Sequence, residues 1–292
     1  MKLSRYYTDR AARYTMLICA ISSFIILLAI AVFIIVKGLP TFKEVNPFEF
    51  LFGTVWRPGS GQYGILAMII GSIAITFGAL LLAIPLGIAC AILLAEVAPF
   101  RIRQLFRPAV ELLVGIPSVV YGLVGIVILV PAISRIGGSG FSILTASIVL
   151  AVMVMPTIIS ISEDSIRAVP RAYKEGAVAL GATQWQTIWR ILLPSAKSGI
   201  IASIVLAMGR AVGETMAMIM VIGNAIKIPT SILDPARTLT GNIAVEINYA
   251  SGTHASALFA TGIVLFIFIA VLNSIVALTF KRGSRSYAEH LT

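Results

Sequence analysis

Six apolar runs, each long enough to cross a lipid bilayer as a helix, dominate this chain. A spanning helix needs about 20 mostly apolar residues, because each residue rises about 1.5 Å along the helix axis. Only 12% of the 292 residues are charged, about half the share that is usual in soluble domains. The runs therefore predict an all-α membrane protein with six transmembrane helices, at 15–36, 64–95, 112–130, 142–161, 199–223 and 255–280.

The segments between the runs alternate in their content of basic residues. Fifteen of the 22 Lys and Arg lie in the N-terminus, 96–111, 163–197 and the C-terminal tail. Six lie in 37–63, 131–141 and 224–254. Because Lys and Arg concentrate on the cytoplasmic side of membrane proteins, both termini and the 163–197 loop are predicted to be cytoplasmic.

These assignments divide the chain into four parts. Residues 1–36 form the cytoplasmic N-terminus and first helix, 37–63 an outer loop, 64–280 the core transmembrane domain, and 281–292 a cytoplasmic tail. The net charge of +10 does not indicate nucleic-acid binding, because the charges flank the apolar runs instead of forming one face.

Some polar and aromatic residues outside the spans are assigned to surfaces. The basic and apolar segment 100–107 is predicted to lie along the inner membrane surface. The aromatic residues of 48–52 and Trp56 suit the outer interface. His254 and His290 are expected to be ordinary surface residues. Cys19 and Cys90 lie in apolar runs and are interpreted as small hydrophobic side chains without a disulfide or metal role.

One cytoplasmic segment, residues 175–194, has the spaced sequence EGAVALGATQWQTIWRILLP. Its small residues suit a helix that approaches another backbone closely. Glu175 is expected near a helix start, where a carboxylate favours the positive end of the dipole. Gly181 is expected to end that helix in a left-handed conformation, and Pro194 to open the next helix. Four apolar residues are predicted to share one side: Trp185, Ile188, Trp189 and Leu192.

The fifth run contains an arginine and a glutamate, Arg210 and Glu214. On a continuous helix these residues, four apart, share one face. A charge near the bilayer centre costs at least about 3 kcal/mol on insertion scales, so such residues usually face a bundle interior or a solvated cavity. The fork of Arg210 matches oxyanions, and Glu214 is expected to keep the empty cavity from trapping an anion too tightly. A self-neutralising pair that fixes packing is the alternative. Gly209 and Gly213 suit close helix packing.

The spacing of 175–194 resembles the cytoplasmic loop by which permeases of binding-protein-dependent ABC importers contact their ATPase subunits. The family pattern has alanine where this chain has Gly176. Three further stretches resemble the PstC family of phosphate permeases, at 113–122, 169–175 and 209–215. Met216 after Glu214 and Thr215, followed by Ile222, Gly223 and Asn224, is also more similar to that family than to the paralogous PstA family.

The resemblance implies a multi-pass protein of the bacterial inner membrane with the type I ABC importer permease fold, also called MetI-like. It implies a complex with a PstA-like permease, two ATPase subunits that bind ATP and Mg²⁺, and a periplasmic phosphate-binding protein that docks on the outer loops, especially 224–254. It places Arg210 and Glu214 in the phosphate pathway. It assigns ATPase coupling to Glu175, Gly176, Ala177, Gly181, Trp185, Trp189, Ile191, Leu193 and Pro194.

No enzymatic activity and no cofactor are expected in the chain itself, because it has no phosphate-binding loop of the ATPase type and no nucleophile or metal constellation. Three alternatives stay open: a permease for sulfate or molybdate, the paralogous PstA-like subunit, and an ion-coupled secondary transporter. The last class often shows repeat symmetry with paired broken helices. Here the interior prolines Pro85, Pro117 and Pro156 show no clear pairing.

Overall fold

The computed structural model describes the backbone of residues 2–289 and the side chains of residue 10 and residues 12–275. Within this part of the chain, five helices are long and apolar enough to cross a membrane, and a sharply bent pair of helices makes a sixth crossing when the pair is counted as one span. This arrangement confirms the predicted all-helical membrane fold. His290 and the last residues of the predicted tail lie outside the described residues.

The helices and strands follow in a simple order, with two short strands forming an antiparallel hairpin. The elements are α1 (Lys2–Gly38), a 3₁₀ turn (Leu39–Lys43), α2 (Pro47–Phe52), β1 (Trp56–Arg57), a 3₁₀ turn (Pro58–Ser60), β2 (Gln62–Tyr63), α3 (Leu66–Ile92), α4 (Phe100–Gly115), α5 (Ser118–Val124), α6 (Val130–Ser134), α7 (Ile143–Arg167), α8 (Arg171–Ala179), α9 (Gln184–Thr187), α10 (Leu193–Gly213), α11 (Met216–Val221), α12 (Leu239–Glu246) and α13 (Gly252–Glu289). Three π-helical turns extend or join helices, at Leu93–Val97, Gly125–Leu129 and Ile188–Leu192.

The third predicted span, 112–130, is wrong as a single straight helix. α4 ends at Gly115, the chain bends by 98°, and α5 begins at Ser118. The cause is Pro117, which has no N–H to donate and disfavours helical geometry in the residue before it. Ile116 accordingly has φ −69° and ψ 128°. The predicted surface segment 100–107 lies in α4, and its place at the membrane surface stays a prediction.

The fifth predicted span, 199–223, is also interrupted. A continuous helical segment begins at Gln184, passes through the π-helical turn and ends at Gly213. Glu214 then has extended geometry (φ −68°, ψ 129°) and α11 starts after Thr215. The Glu214 carboxylate accepts the Ala217 N–H at 3.2 Å, and the Thr240 hydroxyl donates to the Glu214 carbonyl at 3.1 Å. These bonds stabilise the break.

The centre of the fold is built by α3, α7 and α10, with α11 packed against α7. Lipid tails are as apolar as leucine, so close packing and interhelical hydrogen bonds must hold such helices together. Small residues permit the approach, and those in the core cluster are Ala79, Ala83, Ala146, Ala151, Ala207, Ala211 and Ala217. Ser162 of α7 and Ser203 of α10 share a buried hydrogen bond of 2.9 Å.

The outer loops fold into a cap around a buried ionic network. The Glu246 carboxylate accepts from Trp56 Nε1 at 2.8 Å and from Arg237 at 2.7 Å, and it contacts His254 Nε2 at 2.9 Å. Trp56 is therefore buried and does not face the outer interface, and His254 is not an ordinary surface residue. Both predictions were wrong because the charge of Glu246, remote in sequence, needs buried partners. Phe48, by contrast, is exposed as predicted.

The turn into the third outer loop, 224–254, uses Gly223 and Asn224, two residues of the PstC-like pattern. Both have positive φ, 85° and 52°, and Asn224 is the only non-glycine residue with positive φ in the described part of the chain. Glycine and asparagine tolerate this conformation best. The Asn224 amide also donates to the Ile219 carbonyl at 2.7 Å. This residue pair therefore ends α11 and reverses the chain.

We expect the same outer loop to show local pH dependence through Asp234. The backbone N–H and the hydroxyl of Thr230 and the N–H of Ser231 donate to this carboxylate, and Lys227 lies 4.0 Å away, so the pKa of Asp234 is lowered. The stabilisation is complete above the unfolded pKa and is lost as pH falls through the lower folded pKa. Hydrogen exchange, corrected for intrinsic rates, should show the 230–234 turn opening below about pH 4. Asp234→Asn should open it at every pH, and equal protection in both proteins from pH 3 to 7 would contradict this role.

Candidate functional site

Arg210 lies in the last turn of α10, next to the break in the fifth span. It is half-buried, and its guanidinium makes no hydrogen bond or ion pair with the residues that the structure describes. Glu214 has no ion pair within that part of the chain either. The prediction that Arg210 and Glu214 share one helical face is wrong, because the helix ends between them. Arg210 is therefore a half-buried cation at the end of a candidate spanning helix, without a hydrogen-bond or ion-pair partner among the described residues.

Tyr121 lies in α5, just after the bend of the third span. Its hydroxyl donates to the Leu113 carbonyl at 2.8 Å, across the bend of the third span. The sequence interpretation missed this residue. The sequence signal for it is a hydroxyl four residues after Pro117, because a proline leaves a carbonyl without its helical donor.

The small face formed by Gly209 and Gly213 is not packed in this chain. A Cβ added at either glycine would meet nothing within 4 Å among the described residues. Their neighbours Leu206 and Met216 are exposed apolar side chains. The predicted close helix approach therefore does not occur among the described residues.

The predicted coupling segment folds into two helices joined by a tight turn. α8 begins at Arg171, so Glu175 lies in the middle of that helix. The prediction that Glu175 lies near a helix start is therefore wrong. Gly181 ends the helix with φ 82°, which confirms its predicted left-handed conformation. The Gly181 N–H donates to the Val178 carbonyl and the Ala182 N–H to the Ala177 carbonyl, the hydrogen-bond pattern of a Schellman cap.

The predicted apolar side of the second helix is divided between two environments. Ile188 and Leu192 are buried, whereas Trp185 and Trp189 are about 60% exposed. Residues three apart differ by about 60° around a helix, so only the flank that faces the bundle is covered. Leu180 is also exposed, at 91%. The two tryptophans and Leu180 form an apolar surface without a partner in the described chain.

An ion pair and a hydrogen bond join α8 and α9 to the π-helical turn that extends α3. Lys174 pairs with Glu96, and the Gln184 amide donates to the Glu96 carbonyl at 3.2 Å. Thr183 and Gln186 form a capping box at the start of α9. The contacts with Glu96 attach α8 and α9 to the end of α3.

The remaining predicted coupling residues complete this connection. Ala177 is a buried residue of α8. Pro194 lies in the first turn of α10, as predicted. Ile191 and Leu193 are half-buried. A cavity of about 790 Å³ separates α8 from the ends of α3 and α7, and its charged lining residues are Glu96, Arg103, Arg167, Arg171, Lys174 and Glu175.

Substitution by alanine should have opposite effects on the stability of α8 at its two glycines, Gly176 within the helix and Gly181 at its cap. An added Cβ meets nothing within 4 Å at Gly176 or Gly181 in the described chain, so backbone conformation decides the effect. Gly176→Ala should stabilise α8 by about 0.5–1 kcal/mol. Gly181→Ala should destabilise its end by about 1–2 kcal/mol, because φ is positive there. Hydrogen exchange of the α8 amides measures both, and a shift of the same sign for the two variants would contradict the cap.

Sequence comparison finds relatives along nearly the whole chain. A family model described as the binding-protein-dependent transport system inner membrane component matches residues 83–284. The probable ABC transporter permease protein YqgH of Bacillus subtilis is 41% identical, covering 92% of this chain and 91% of its own length. The phosphate transport system permease protein PstC of Pasteurella multocida is 34% identical, with coverages of 96% and 94%. PstC of Xylella fastidiosa is 38% identical, with coverages of 83% and 81%.

Solved structures show the same architecture. A bacterial ABC transporter involved in the import of the acidic polysaccharide alginate has a chain that aligns with a TM-score of 0.62, 98% coverage of this chain and 99% of its own. The inward-facing MetNI methionine ABC transporter aligns with a TM-score of 0.54 and coverages of 76% and 94%. Both are 20% identical to this chain. At this identity the likeness shows the fold alone, which is that of type I ABC importer permeases.

Proposed function

The chain belongs to the family of binding-protein-dependent transport system inner membrane components, and on that premise we propose that it is the permease subunit of an ATP-driven importer of inorganic phosphate. It is a multi-pass protein of the bacterial inner membrane. The substrate follows from PstC relatives that match most of the chain at 34–38% identity. The single observation in the structure that carries the proposal is Arg210, a membrane-embedded arginine whose donors have no partner in the described chain.

Arg210 suits an oxyanion for a chemical reason. A guanidinium presents several N–H donors in a planar fork that fits phosphate oxygens and stays charged at all physiological pH values. Arg210 lies at the end of α10, beside an interrupted span. In membrane proteins, irregular backbone at membrane depth is tolerated where it lines a water-filled cavity or is buried in protein. Glu214, which holds this interruption, belongs to the same proposed pathway. It limits the affinity of the site by placing a second negative charge near the anion.

The proposed complex contains this chain and a PstA-like permease, which meet through the small, unpacked face at Gly209 and Gly213. Two separate ATPase subunits bind ATP and Mg²⁺, and they contact the exposed surface of Leu180, Trp185 and Trp189. Glu175, Gly176 and the other predicted coupling residues shape that surface. A periplasmic phosphate-binding protein docks on the outer cap, which includes the folded loops 37–63 and 224–254.

The proposed transport cycle uses these contacts in sequence. ATP binding closes the ATPase subunits, the coupling segments approach each other, and the pathway opens outward. The binding protein then releases phosphate beside Arg210. ATP hydrolysis returns the pathway to the inward-facing state, since each state is a packing arrangement that its ligands favour.

Uptake of radiolabelled phosphate by proteoliposomes that contain the complete complex tests the proposal. We expect uptake that requires ATP inside and binding protein outside, and that sulfate and molybdate do not inhibit. Uptake driven by an ion gradient without ATP would refute the importer. ATP-dependent uptake of sulfate or molybdate in place of phosphate would refute the substrate and keep the importer.

A further inference from the structure

The hydroxyl of Tyr121 replaces a backbone hydrogen bond that the sequence makes impossible. In a continuous helix the N–H of residue 117 would donate to the Leu113 carbonyl, but Pro117 has no N–H. The Ile116 N–H approaches that carbonyl only at 3.4 Å, whereas the Tyr121 hydroxyl donates to it at 2.8 Å. An unsatisfied carbonyl is costly at membrane depth, so this bond stabilises the 98° bend between α4 and α5.

The helix that carries this phenol packs against α11, which starts just after the interruption that follows Arg210. No hydrogen bond joins Tyr121 to Arg210 among the described residues. α5 lies tightly against α11, since a Cβ at Gly122 would be 3.0 Å from the Ala217 Cα. The Ala217 N–H in turn binds the Glu214 carboxylate. The interruptions of the third and fifth spans are therefore neighbours.

We propose that Tyr121 is a positioning residue of the transport pathway, whose hydroxyl donates alternately to the Leu113 carbonyl and to an oxyanion held by Arg210. The proposal deepens the proposed function and rests on it. A phenol has one hydrogen to donate, so the two acceptors compete for it. An ionised acceptor forms the stronger hydrogen bond, so an anion beside Arg210 takes the donor from the bend.

Loss of the Tyr121 bond reaches the cytoplasmic side through α4. Arg103 of α4 donates to the Leu94 and Ala95 carbonyls at the end of α3, at 2.8 and 3.0 Å. The adjacent Glu96 pairs with Lys174 of the coupling segment. These contacts form a contiguous physical connection from the bend to α8, of the kind through which coupling between sites travels. Occupancy of the anion site thereby alters the surface that faces the ATPase.

Two measurements on the complete complex in proteoliposomes test Tyr121→Phe, which keeps the ring and removes the hydroxyl. The first is phosphate uptake, with separate values for KM and kcat. The second is the distance between nitroxide labels at Leu112→Cys on α4 and Leu123→Cys on α5, two exposed positions, after Cys19 and Cys90 are replaced. Tyr14→Phe, which changes an exposed tyrosine of α1 outside the outer cap and the proposed pathway, is the matched control.

We expect added phosphate to change the label distance in wild type and in Tyr14→Phe. In Tyr121→Phe this change should disappear, kcat should fall about tenfold, as for the loss of about 1.4 kcal/mol, and KM should stay within about twofold. Pro117→Ala supplies the missing N–H to the Leu113 carbonyl, so its label distance without phosphate should already approach the phosphate-loaded distance of wild type.

Other outcomes overturn the proposal. Full uptake by Tyr121→Phe with an unchanged distance response would remove Tyr121 from the pathway, and lower membrane abundance with normal kcat per complex would show a structural role only. If wild type imports another oxyanion and responds to that anion through Tyr121, the role of Tyr121 stands and phosphate as the substrate falls. If wild type imports phosphate without any distance change, the importer stands and the role of Tyr121 falls.

Discussion

Arg210→Gln should lower ATP-driven phosphate uptake by about 30- to 150-fold at unchanged membrane abundance. A hydrogen bond to a charged group contributes about 1.5–3 kcal/mol. Since each 1.4 kcal/mol is a factor of ten, the loss of about 2–3 kcal/mol corresponds to a decrease in uptake of about 30- to 150-fold. Glutamine keeps part of the side-chain length and hydrogen-bonding capacity but removes the charge and the fork. The measurement is the initial rate of radiolabelled phosphate uptake by the complete complex.

The matched control for this variant is Arg135→Gln. Arg135 is an exposed arginine after α6, in a segment predicted to face outward, so the same change in charge occurs away from the proposed pathway. Uptake by Arg135→Gln should stay within about twofold of wild type, which is the size of an ordinary surface effect of about 0.5 kcal/mol. Equal uptake by Arg210→Gln and wild type would assign Arg210 to helix packing and remove the observation on which the substrate proposal depends.

Glu214 should behave differently from Arg210, because it also has a structural role. Its carboxylate caps α11 and its carbonyl binds Thr240. On an uninterrupted helix the pair would have been an i, i+4 ion pair. The observed break separates the tasks, with Arg210 open to a ligand and Glu214 holding the backbone. An anion therefore does not need to displace an existing Arg210–Glu214 salt bridge.

Much of the fold could be predicted from the sequence, since bilayer thickness sets the length of each apolar run and the distribution of Lys and Arg indicates which loops are cytoplasmic. The interruptions were harder to predict. Pro117 interrupts a helix whereas Pro85 and Pro156 lie inside α3 and α7, which continue past them. At Pro117 the hydroxyl of Tyr121 donates to the Leu113 carbonyl across the bend. Periodicity carries no information about that contact.

The buried ionic network of the outer cap could not be predicted from local sequence either. Trp56, Glu246 and His254 are far apart in sequence, and each separately is typical of an exposed loop. Burial of the Glu246 charge requires several donors, and only the tertiary fold brings Arg237, Trp56 and His254 to it. In the coupling segment, by contrast, the signals are local. Gly181 and Pro194 could be assigned correctly because a left-handed cap and a first-turn proline depend on their own backbone geometry.

The double variant Trp185→Ala, Trp189→Ala should weaken binding of the ATPase subunits by at least about 30-fold, corresponding to about 2 kcal/mol. Large aromatic side chains are the commonest residues whose truncation costs an interface this much. Both tryptophans are about 60% exposed on helical segments that extend into α10, so their loss should leave the bundle intact. ATP-driven uptake should fall by a similar factor at limiting ATPase concentration.

Copurification and titration of the ATPase onto the permease in nanodiscs measure this effect, and Phe48→Ala is its matched control. Phe48 is 75% exposed in the outer loop, so its truncation removes an exposed aromatic ring on the opposite side of the membrane. Normal ATPase affinity in the tryptophan variant would show that the exposed apolar surface serves another contact. Reduced affinity together with normal binding in Phe48→Ala would place the ATPase subunits on this surface. From there the contact of Lys174 with Glu96 leads to α3 and the proposed transmembrane pathway.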